Sequence, residues 1–519
     1  MRKTVKKLTA VGLTVTSVLG LVACGSSKGT TSQGTSENKE VTKPDTFTVM
    51  CDGTVVTETN GAEAFYKQLN EATGLDIKWT RPDHASYYDA VANAFNSDDT
   101  MPDVVLLSSD YYALYASNGF LWNMTDAWEH SETKNSGRLI STADNVLSAL
   151  MVNGEDGTKA MYGLSLYRGN GCCTYVKKAW LDKAGIDASK VKDVQMDFNT
   201  YYGYLKQMAQ TMGHYVIHPE APNTNYLPEF YQKAQYTFYK DTSGKYVDGF
   251  AQQEMKEALQ RIQTAVNDGV IDKESVNNST ANARDKFYST DPSTETGVFT
   301  YWAGTWANTL KTNLANKGLD DELIAIKPIK ELGAYTERIA PCWCITSAAK
   351  NPEGIFKYFI DKMLDGGDVQ MLWTHGAKGT HWDDKAETVT VEKKEDQPKT
   401  YTEGQFHYLP GIEKPDQWQT KNHIDPILSI ANFTNGYVGE SLIPEVAREN
   451  GEFFAENSQV AVPLPMTSEL SNNIGDINTA RTYVIAQVAL GYMTVDEGMD
   501  YYNKTVGSLS NAVLKSLNK

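Results

Sequence analysis

The chain has 519 residues, with 48 Lys and Arg against 65 Asp and Glu, and a formal net charge of -17. Nucleic acids and anionic lipid surfaces attract clustered basic residues, so this negative net charge argues against both as binding partners. The length predicts two or three domains with sizeable hydrophobic cores.

The first 23 residues have the pattern of a secretory signal peptide. Four basic residues lie between positions 2 and 7, and residues 8–22 form an apolar stretch without a charge. This stretch is shorter than a typical membrane-spanning helix. It ends in Leu21-Val22-Ala23-Cys24, which resembles the lipobox of bacterial lipoproteins. The resemblance implies that Cys24 becomes a lipid-carrying N-terminus, and the alternative is a signal peptide with a chance cysteine.

The segment that follows has the composition of a tether. Residues 25–44 are mostly Gly, Ser, Thr, Lys and Glu, with Val41 as the single large apolar residue. Such a segment buries too little apolar surface to offset the entropy of ordering it. We therefore predict that residues 24–44 are a lipid anchor and flexible tether. The protein is then expected on the extracellular face of the cell membrane.

Strand and helix patterns alternate in the next part of the chain. Runs at 47–51, 75–79 and 103–107 predict strands, and stretches at 63–72, 87–95 and 111–118 predict helices. This alternation is typical of an α/β domain with a mostly parallel sheet.

Helices are more frequent toward the C-terminus. The patterns predict helices at 178–184, 200–211, 254–267 and 352–365, strands at 296–300 and 323–328, and a hairpin turn at 241–245. Two further helices are predicted at 471–490 and 495–503. Trp180, Trp122 and Trp128 are interpreted as core residues.

Five cysteines follow the lipobox: Cys51, Cys172, Cys173, Cys342 and Cys344. An odd number cannot pair completely, and two adjacent cysteines lie closer together than an unstrained disulfide prefers. No Cys/His pair at metal-ligand spacing accompanies them. We interpret all five as small buried hydrophobic residues in strands, with a redox or metal role as the alternative.

Aromatic residues are the strongest compositional indication of a ligand, with 10 Trp and 29 Tyr in the chain. Sugars present flat C–H faces and rings of hydroxyls, which match aromatic planes flanked by Asp, Asn and Arg. The alternative is that these side chains only pack in the core and on the surface of a large protein.

Six blocks follow one another along the chain: Met101-Pro102-Asp103-Val104-Val105, residues 115–121, Trp180-Leu181-Asp182-Lys183-Ala184-Gly185, residues 267–271, Asn351-Pro352-Glu353 and residues 376–382. In this order they resemble blocks of the extracellular sugar-binding lipoproteins of ABC importers, of the family 1 type. The resemblance covers essentially the whole chain after the tether. Within this family the chain resembles the larger oligosaccharide-binding members, such as the alginate-oligosaccharide-binding proteins, and more distantly the maltose-binding proteins.

The resemblance implies an α/β fold of two lobes, of the class II periplasmic-binding-protein type, with a helix-rich C-terminal part. Residues 45–165 plus 338–368 would form the N-lobe, and residues 166–337 plus 369–519 the C-lobe. A monomer of this kind would capture an oligosaccharide between its lobes and deliver it to ABC permease subunits, without a cofactor. The alternatives are a receptor for a peptide or other small solute on the same fold, and a surface glycoside hydrolase.

Motifs of common enzymes are absent from the sequence after the tether, where no G-x-S-x-G, H-E-x-x-H or G-K-S/T occurs. This absence favours a binding protein without catalytic residues, although a glycosidase needs only two carboxylates at a fixed separation. The larger relatives often carry a calcium loop where this chain has Met212-Gly213-His214-Tyr215-Val216. Because alternating Asp and Asn ligands are missing from that segment, we predict no calcium site there.

Ligands of open α/β sheets bind at the carboxyl ends of strands. This rule selects Asp52 after the first predicted strand, and Asp110 and Tyr111 after the third. The resemblance implies that Asp110 accepts sugar hydroxyls, and a helix N-cap is its alternative role.

The first predicted crossing between the lobes supplies three more candidates, Tyr167, Arg168 and Asn170. The alternative is a hinge loop in which the arginine pairs with a local carboxylate.

Tryptophans supply the remaining candidates. Trp306 follows a strand and, through the resemblance, matches a stacking tryptophan; Trp302 is a second platform or a core residue. Trp343 alternates with two cysteines in a strand and would face the cleft if they are buried. Trp373 and His375 precede a glycine-rich segment and are weaker candidates.

Overall fold

The computed structural model of the protein describes residues 40–53, 61–83, 86–141, 143–165, 169–277, 280–319, 321–389, 399–409, 434–436, 438–462, 464–465 and 467–518. The chain divides into Met1–Glu40 and Val41–Lys519, and every helix and strand that is described belongs to the second unit. The predicted signal peptide, Cys24 and most of the tether lie outside the described residues.

Two sheets contain seven of the described strands, and the others form two-stranded pairs. The strands are β1 (Thr46–Met50), β2 (Asp76–Thr80), β3 (Val104–Leu107), β4 (Met151–Asn153), β5 (Lys159–Met161), β6 (Cys172–Lys177), β7 (Phe238–Lys240), β8 (Tyr246–Asp248), β9 (Val298–Trp302), β10 (Leu323–Ala325), β11 (Tyr335–Glu337), β12 (Cys342–Ile345), β13 (Trp382–Asp383), β14 (Glu387–Val389), β15 (Lys399–Tyr401), β16 (His407–Tyr408) and β17 (Ser458–Val460). The first large sheet has the order β12-β3-β1-β2 and the second the order β10-β6-β9.

Helices surround both large sheets. They are α1 (Ala62–Thr73), α2 (Tyr87–Ala94), α3 (Ser109–Ser117), α4 (Thr125–Glu129), α5 (Glu132–Asn135), α6 (Ala143–Ala149), α7 (Lys178–Ala184), α8 (Ala188–Lys192), α9 (Phe198–Met212), α10 (Pro228–Tyr231), α11 (Gln253–Asn267), α12 (Thr280–Phe287), α13 (Thr305–Asn316), α14 (Pro352–Ile355), α15 (Asp368–His375), α16 (Glu445–Asn457), α17 (Ser468–Ala489) and α18 (Val495–Leu517). Short 3-10 turns lie at Gly249–Ala251, Lys273–Asn277 and Glu440–Leu442. After α14 the chain continues through the π-helical turn Phe356–Ile360 and the 3-10 turn Asp361–Leu364.

The N-lobe is built on the first large sheet. β1 pairs in parallel with β2 and β3, and β12 pairs antiparallel with β3. Every residue of β3 and β12 is buried, because protein covers both faces of the sheet there. The Tyr87 hydroxyl of α2 donates to the carbonyl of Leu106 at 2.7 Å, which fastens this helix to the carboxyl end of β3.

The C-lobe is built on the second large sheet, in which β6 pairs antiparallel with β9 and β10. Ile217 forms parallel bridges to Val298 and to Ile271, so two short segments extend the sheet beyond β9. The long helices α17 and α18 pack together and against α11. Trp180 is fully buried in this core, as predicted.

The chain passes between the lobes where residues 164–165 and 169–171 lie antiparallel to residues 336–343. Leu164 bridges Trp343, and the Arg338 amide donates to the carbonyl of Asn170 at 3.1 Å. A Cβ at Gly169 would lie 1.6 Å from the carbonyl oxygen of Arg338, so only glycine allows this approach.

The predicted lobe boundary at residue 368 is wrong for the part of the chain described here. Val369, Leu372 and Trp373 of α15 lie in the N-lobe core with the residues of β1 and β3, and Ile443 packs against the same core. Phe454 of α16 lies in a C-lobe core. The described residues between 369 and 443 therefore belong with the N-lobe, because α15 presents its apolar side chains to α1.

Most predicted elements are present, with bounds that differ by a few residues. The helix at 178–184 coincides with α7, whereas the one predicted at 495–503 continues to Leu517 as α18. The five cysteines after Cys24 are free and buried, as predicted, although Cys51 follows β1 instead of lying in it. Burial raises the pKa of the Cys51 and Cys342 thiols to about 12, which suits inert core residues.

None of the described helices combines the length and the apolar character that a membrane crossing requires.

Candidate ligand-binding site

One edge of the C-lobe sheet brings together three chain segments. β9 ends at Trp302, which pairs with Cys172 at the start of β6. Ile217 runs parallel to β9 from its bridge with Val298, so the loop after Ile217 leads toward the same edge. Carboxyl ends of parallel strands are the usual ligand positions of open α/β sheets.

Two of the predicted tryptophans lie at this edge. Trp302 is half-buried at the end of β9, and Trp306 is half-buried in the first turn of α13. The Trp306 ring packs edge-to-face on Tyr301, with centroids 5.7 Å apart and an interplanar angle of 84°. Gly304 lies between the two tryptophans with φ of +67°, a conformation that other residues rarely adopt. We call Tyr301, Trp302 and Trp306 the aromatic platform; Tyr301 is buried, and the two half-buried tryptophans supply its exposed surface.

Charged side chains border the platform, and sequence reasoning missed them. The guanidinium carbon of Arg338 lies 4.5 Å from the centre of the Trp302 ring, and that of Arg284 lies 6.0 Å from the centre of the Tyr301 ring. Cations placed over aromatic rings in this way are attracted by the ring quadrupole. Arg338 is exposed and lies within the second crossing between the lobes.

The loop after Ile217 adds a carboxylate and a phenol. Burial raises the pKa of the Tyr226 hydroxyl, and the neighbouring Cys172 and Glu220 raise it further. The Glu220 Oε2 atom is buried beside the Tyr226 hydroxyl and makes no hydrogen bond of good geometry with the described residues. A buried carboxylate oxygen of this kind can accept a hydrogen bond from a ligand hydroxyl. A polar Pro-containing loop directly after the apolar pair Val216-Ile217 was the sequence signal for these residues.

Asn170 reaches the same edge but bonds to protein. Its Nδ2 atom donates to the carbonyl of Ala303 at 3.1 Å, and its Oδ1 atom accepts from the Gly171 amide at 2.8 Å. Its role as a ligand contact stays a prediction. Tyr167 and Arg168, the other candidates of this crossing, lie outside the described residues.

The carboxyl ends of the N-lobe strands form a second polar and aromatic surface. The Ser108 amide donates to the Tyr88 hydroxyl at 2.9 Å, and the Tyr88 ring stacks on Tyr111 with centroids 3.9 Å apart. Asp52 is half-buried directly after β1. Asp110 lies in the first turn of α3, but its side chain lies outside the described part of the chain.

Three predicted candidates lie in the N-lobe core instead. Trp343 and Trp373 are 1% and 0% exposed, and their rings contact each other at 5.8 Å. The prediction that Trp343 faces a cleft is wrong, because both faces of β12 are covered and alternation therefore does not expose either side. Trp373 also packs on Phe65 at 4.9 Å, so no face of it is open to a ligand.

His375 is likewise fully buried. Its Nδ1 atom lies 2.6 Å from the Tyr408 hydroxyl and its Nε2 atom 3.0 Å from the carbonyl oxygen of Gly439. Burial lowers the pKa of this imidazole to about 4, so it is neutral at pH 7. Because His375 is fully buried, it cannot contact a ligand in this structure.

Comparisons with known proteins identify the architecture. No protein-family model and no curated protein sequence matches the chain. The alginate-binding protein AlgQ2 without calcium ion is similar at 16% identity and a TM-score of 0.55, over 92% of this chain and 98% of that one.

Two further solved structures agree with this likeness. An extracellular solute-binding protein of family 1 from Alicyclobacillus acidocaldarius is similar at 14% identity and a TM-score of 0.57, over 91% of this chain and 100% of its own. The N-glycan transport solute binding protein NgtS from Streptococcus pneumoniae is similar at 16% identity and a TM-score of 0.56, over 91% of this chain and 98% of its own.

The chain has the two-lobed fold of the family 1 extracellular solute-binding proteins.

This solute-binding fold confirms the predicted fold class. It also explains why the aromatic platform of the C-lobe and the tyrosine surface of the N-lobe both lie at carboxyl ends of strands, since the two sheets of such a fold carry their polar loops there.

The segment at which we predicted no calcium site has a lysine beside it. The Lys286 ammonium donates to the Tyr215 hydroxyl at 3.1 Å and to an Asp272 carboxylate oxygen at 2.7 Å. Among the described residues no group of three or more His, Cys, Asp or Glu side chains is placed to hold a metal ion. The absence of a calcium site stays a prediction.

Chelation should therefore leave the stability of this solute-binding fold unchanged. Thermal unfolding in EDTA is expected to give the same melting temperature as in buffer, because an ammonium already supplies a positive charge beside Tyr215 and Asp272. Unfolding is measured with and without chelator, with added CaCl₂ as the control. A fall of several degrees that calcium reverses would show that a metal site exists.

Proposed function

We propose that the protein binds an oligosaccharide between its two lobes and does no chemistry on it. The aromatic platform Tyr301, Trp302 and Trp306 carries this proposal, together with the charged groups of Glu220 and Arg338 at its border. Solved structures with this fold are described as binding alginate and as transporting N-glycans, which supports a carbohydrate ligand.

The chemistry of a sugar fits both surfaces. A pyranose ring laid on an indole removes apolar area from water on both sides, and its hydroxyls need directional partners at the rim. Glu220 supplies an acceptor and Arg338 supplies donors on the C-lobe. Asp52 and the Tyr88–Tyr111 stack offer the same combination of carboxylate and aromatic plane on the N-lobe.

Hinged closure of the lobes would complete the site. Residues 164–165 and 169–171 lie beside residues 336–343, so a bend at this place would change the separation of the two surfaces. Neither surface alone covers a sugar on both faces, which favours capture between the lobes over binding to one lobe.

A ligand panel is the experiment that tests the function. Melting temperatures are measured with neutral oligosaccharides, uronate oligosaccharides, amino acids and peptides, since a ligand that binds the folded state raises stability by mass action. A shift with oligosaccharides alone supports the proposal. A shift with peptides alone identifies the receptor for another solute that the sequence left as an alternative.

The same samples separate binding from hydrolysis. Any oligosaccharide that shifts the melting temperature is incubated with the protein and analysed by chromatography. Recovery of the intact sugar supports a receptor, whereas shorter products would identify a glycoside hydrolase with paired carboxylates.

Delivery of the sugar to a separate ABC permease, from an anchor on the outer face of the cell membrane, completes the proposed role. The apolar run before Cys24 and the polar segment after it support this placement. No nucleotide-binding loop is present in the sequence, so the energy for transport would come from another protein.

Cys24→Ala should abolish lipid attachment and leave the protein unprocessed or shed, because the thiol that would carry the lipid is lost. Incorporation of labelled fatty acid in a bacterial host measures this, and Cys51→Ala, at a buried thiol, is the control. Labelled lipid on the Cys24→Ala protein would contradict the lipoprotein assignment.

A further inference from the structure

Side chains from other segments of the chain form hydrogen bonds to the turn that joins the two tryptophans of the aromatic platform. The carbonyl of Trp302 accepts from the Tyr175 hydroxyl at 3.1 Å, and the carbonyl of Ala303 accepts from Asn170 at 3.1 Å. The Gly304 amide donates to the side-chain oxygen of Asn450 at 2.7 Å. The side-chain partners of residues 302–304 thus come from β6, from the first crossing and from α16.

Asn450 is the most connected of these partners. Its Oδ1 atom accepts from the Gly304 amide and lies 3.0 Å from the Tyr175 hydroxyl, whose single proton is shared between this oxygen and the carbonyl of Trp302. The residue is 9% exposed, so water does not replace these bonds readily. One side-chain oxygen therefore holds the turn at Gly304 and, through Tyr175, the end of β9.

The segment that carries Asn450 contacts both lobes. Ile443, just before α16, packs against the N-lobe core, and Phe454 within α16 lies in a C-lobe core. After the helix, β17 pairs in parallel with β11 of the C-lobe, and Val460 again packs against the N-lobe core. We define the segment 443–460 as the bridging segment.

We infer that Asn450 is a positioning residue through which the bridging segment holds the Trp302–Trp306 platform in the geometry that a sugar ring needs. This inference rests on the proposed sugar-binding function. Asn450 does not touch the ligand; it acts by fixing Gly304, whose φ of +67° sets the direction in which α13 leaves β9. Asn170 supports the same turn from the first crossing, so both supports come from segments that connect the lobes.

Side-chain chemistry at position 450 separates positioning from packing. Asn450→Leu keeps a similar side-chain volume but removes the acceptor oxygen. The Gly304 amide and the Tyr175 hydroxyl then both lose their hydrogen bond to position 450. Asn450→Asp keeps an acceptor oxygen at the same place. Arg448→Gln is the matched control, because Arg448 is exposed on the same helix and lies 3.9 Å from Glu452 in a surface ion pair.

Two measurements are made on each variant. The affinity for an oligosaccharide identified in the panel is measured by titration calorimetry at a temperature where every variant is folded. Fluorine NMR of 5-fluorotryptophan-labelled protein reports the platform without ligand, with the two resonances assigned by Trp302→Phe and Trp306→Phe.

We expect Asn450→Leu to move both platform resonances and to weaken sugar binding about tenfold, the size of one lost hydrogen bond. Asn450→Asp should restore both readouts toward wild type, and Arg448→Gln should change neither. If Asn450→Leu leaves the resonances or the affinity of the folded protein unchanged, or Asn450→Asp fails to restore them, the inference is wrong. Resonances that respond as expected in a protein that binds no sugar would support the positioning role and overturn the proposed function instead.

Discussion

Trp306→Ala should weaken oligosaccharide binding roughly tenfold to a hundredfold with little change in the melting temperature of the free protein. The half-buried indole lies in the first turn of α13 and packs edge-to-face on Tyr301. A sugar ring on its open face would bury apolar area and gain aromatic contact worth about 1–3 kcal/mol. Titration calorimetry measures the affinity, and thermal unfolding measures the stability of the same preparation.

Trp128→Ala is the matched control for this prediction. Trp128 is 3% exposed in the N-lobe core, so its loss should lower stability by about 3–5 kcal/mol and leave the affinity of the folded protein unchanged. If Trp306→Ala instead behaves like the control, Trp306 is a core residue and is removed from the site.

Arg481→Met should destabilise the C-lobe by about 3–5 kcal/mol, because it leaves a buried carboxylate without its cation. Arg481 is 0% exposed, and its guanidinium donates to Asp248 at 2.9 Å. The other Asp248 oxygen accepts from the hydroxyls of Tyr502 at 2.7 Å and Ser510 at 2.6 Å. These bonds tie α17 and α18 to the hairpin of β7 and β8.

Urea unfolding measures this effect as a change of midpoint at constant slope. The control Arg448→Gln removes an exposed arginine–glutamate pair and should change the free energy of unfolding by less than about 1 kcal/mol. Equal effects of the two substitutions would show that the buried pair contributes no more than the surface pair.

Local sequence patterns predicted the N-lobe well. The alternation of β1, α1, β2, α2 and β3 is visible in the sequence because each strand is a short apolar run and the apolar residues of each helix recur at helical spacing. The candidates after β1 and β3 follow from this order and from the rule that ligands bind at carboxyl ends of strands. Trp302 and Trp306 were selected as residues after the predicted strand at 296–300, and Trp306 also through the family resemblance.

Other features depend on contacts that are distant in sequence. Trp343 was misplaced because alternation identifies an exposed side only when one face of a strand is open, and β12 is covered on both faces. The described residues between 369 and 443 were assigned to the wrong lobe because α15 has apolar residues that fit either core. Arg338 and Asn450 were missed since each reaches the platform from a connecting segment.

The central claim is that the aromatic platform takes part in binding an oligosaccharide that the protein leaves intact. The most direct measurement is a calorimetric titration of the wild-type protein and of Trp302→Ala and Trp306→Ala with the best oligosaccharide of the panel. We predict saturable binding of one ligand per wild-type protein, a negative heat-capacity change from buried apolar area, and weaker binding by both variants. Binding of equal strength in all three proteins, or no saturable binding of any oligosaccharide, would contradict the claim.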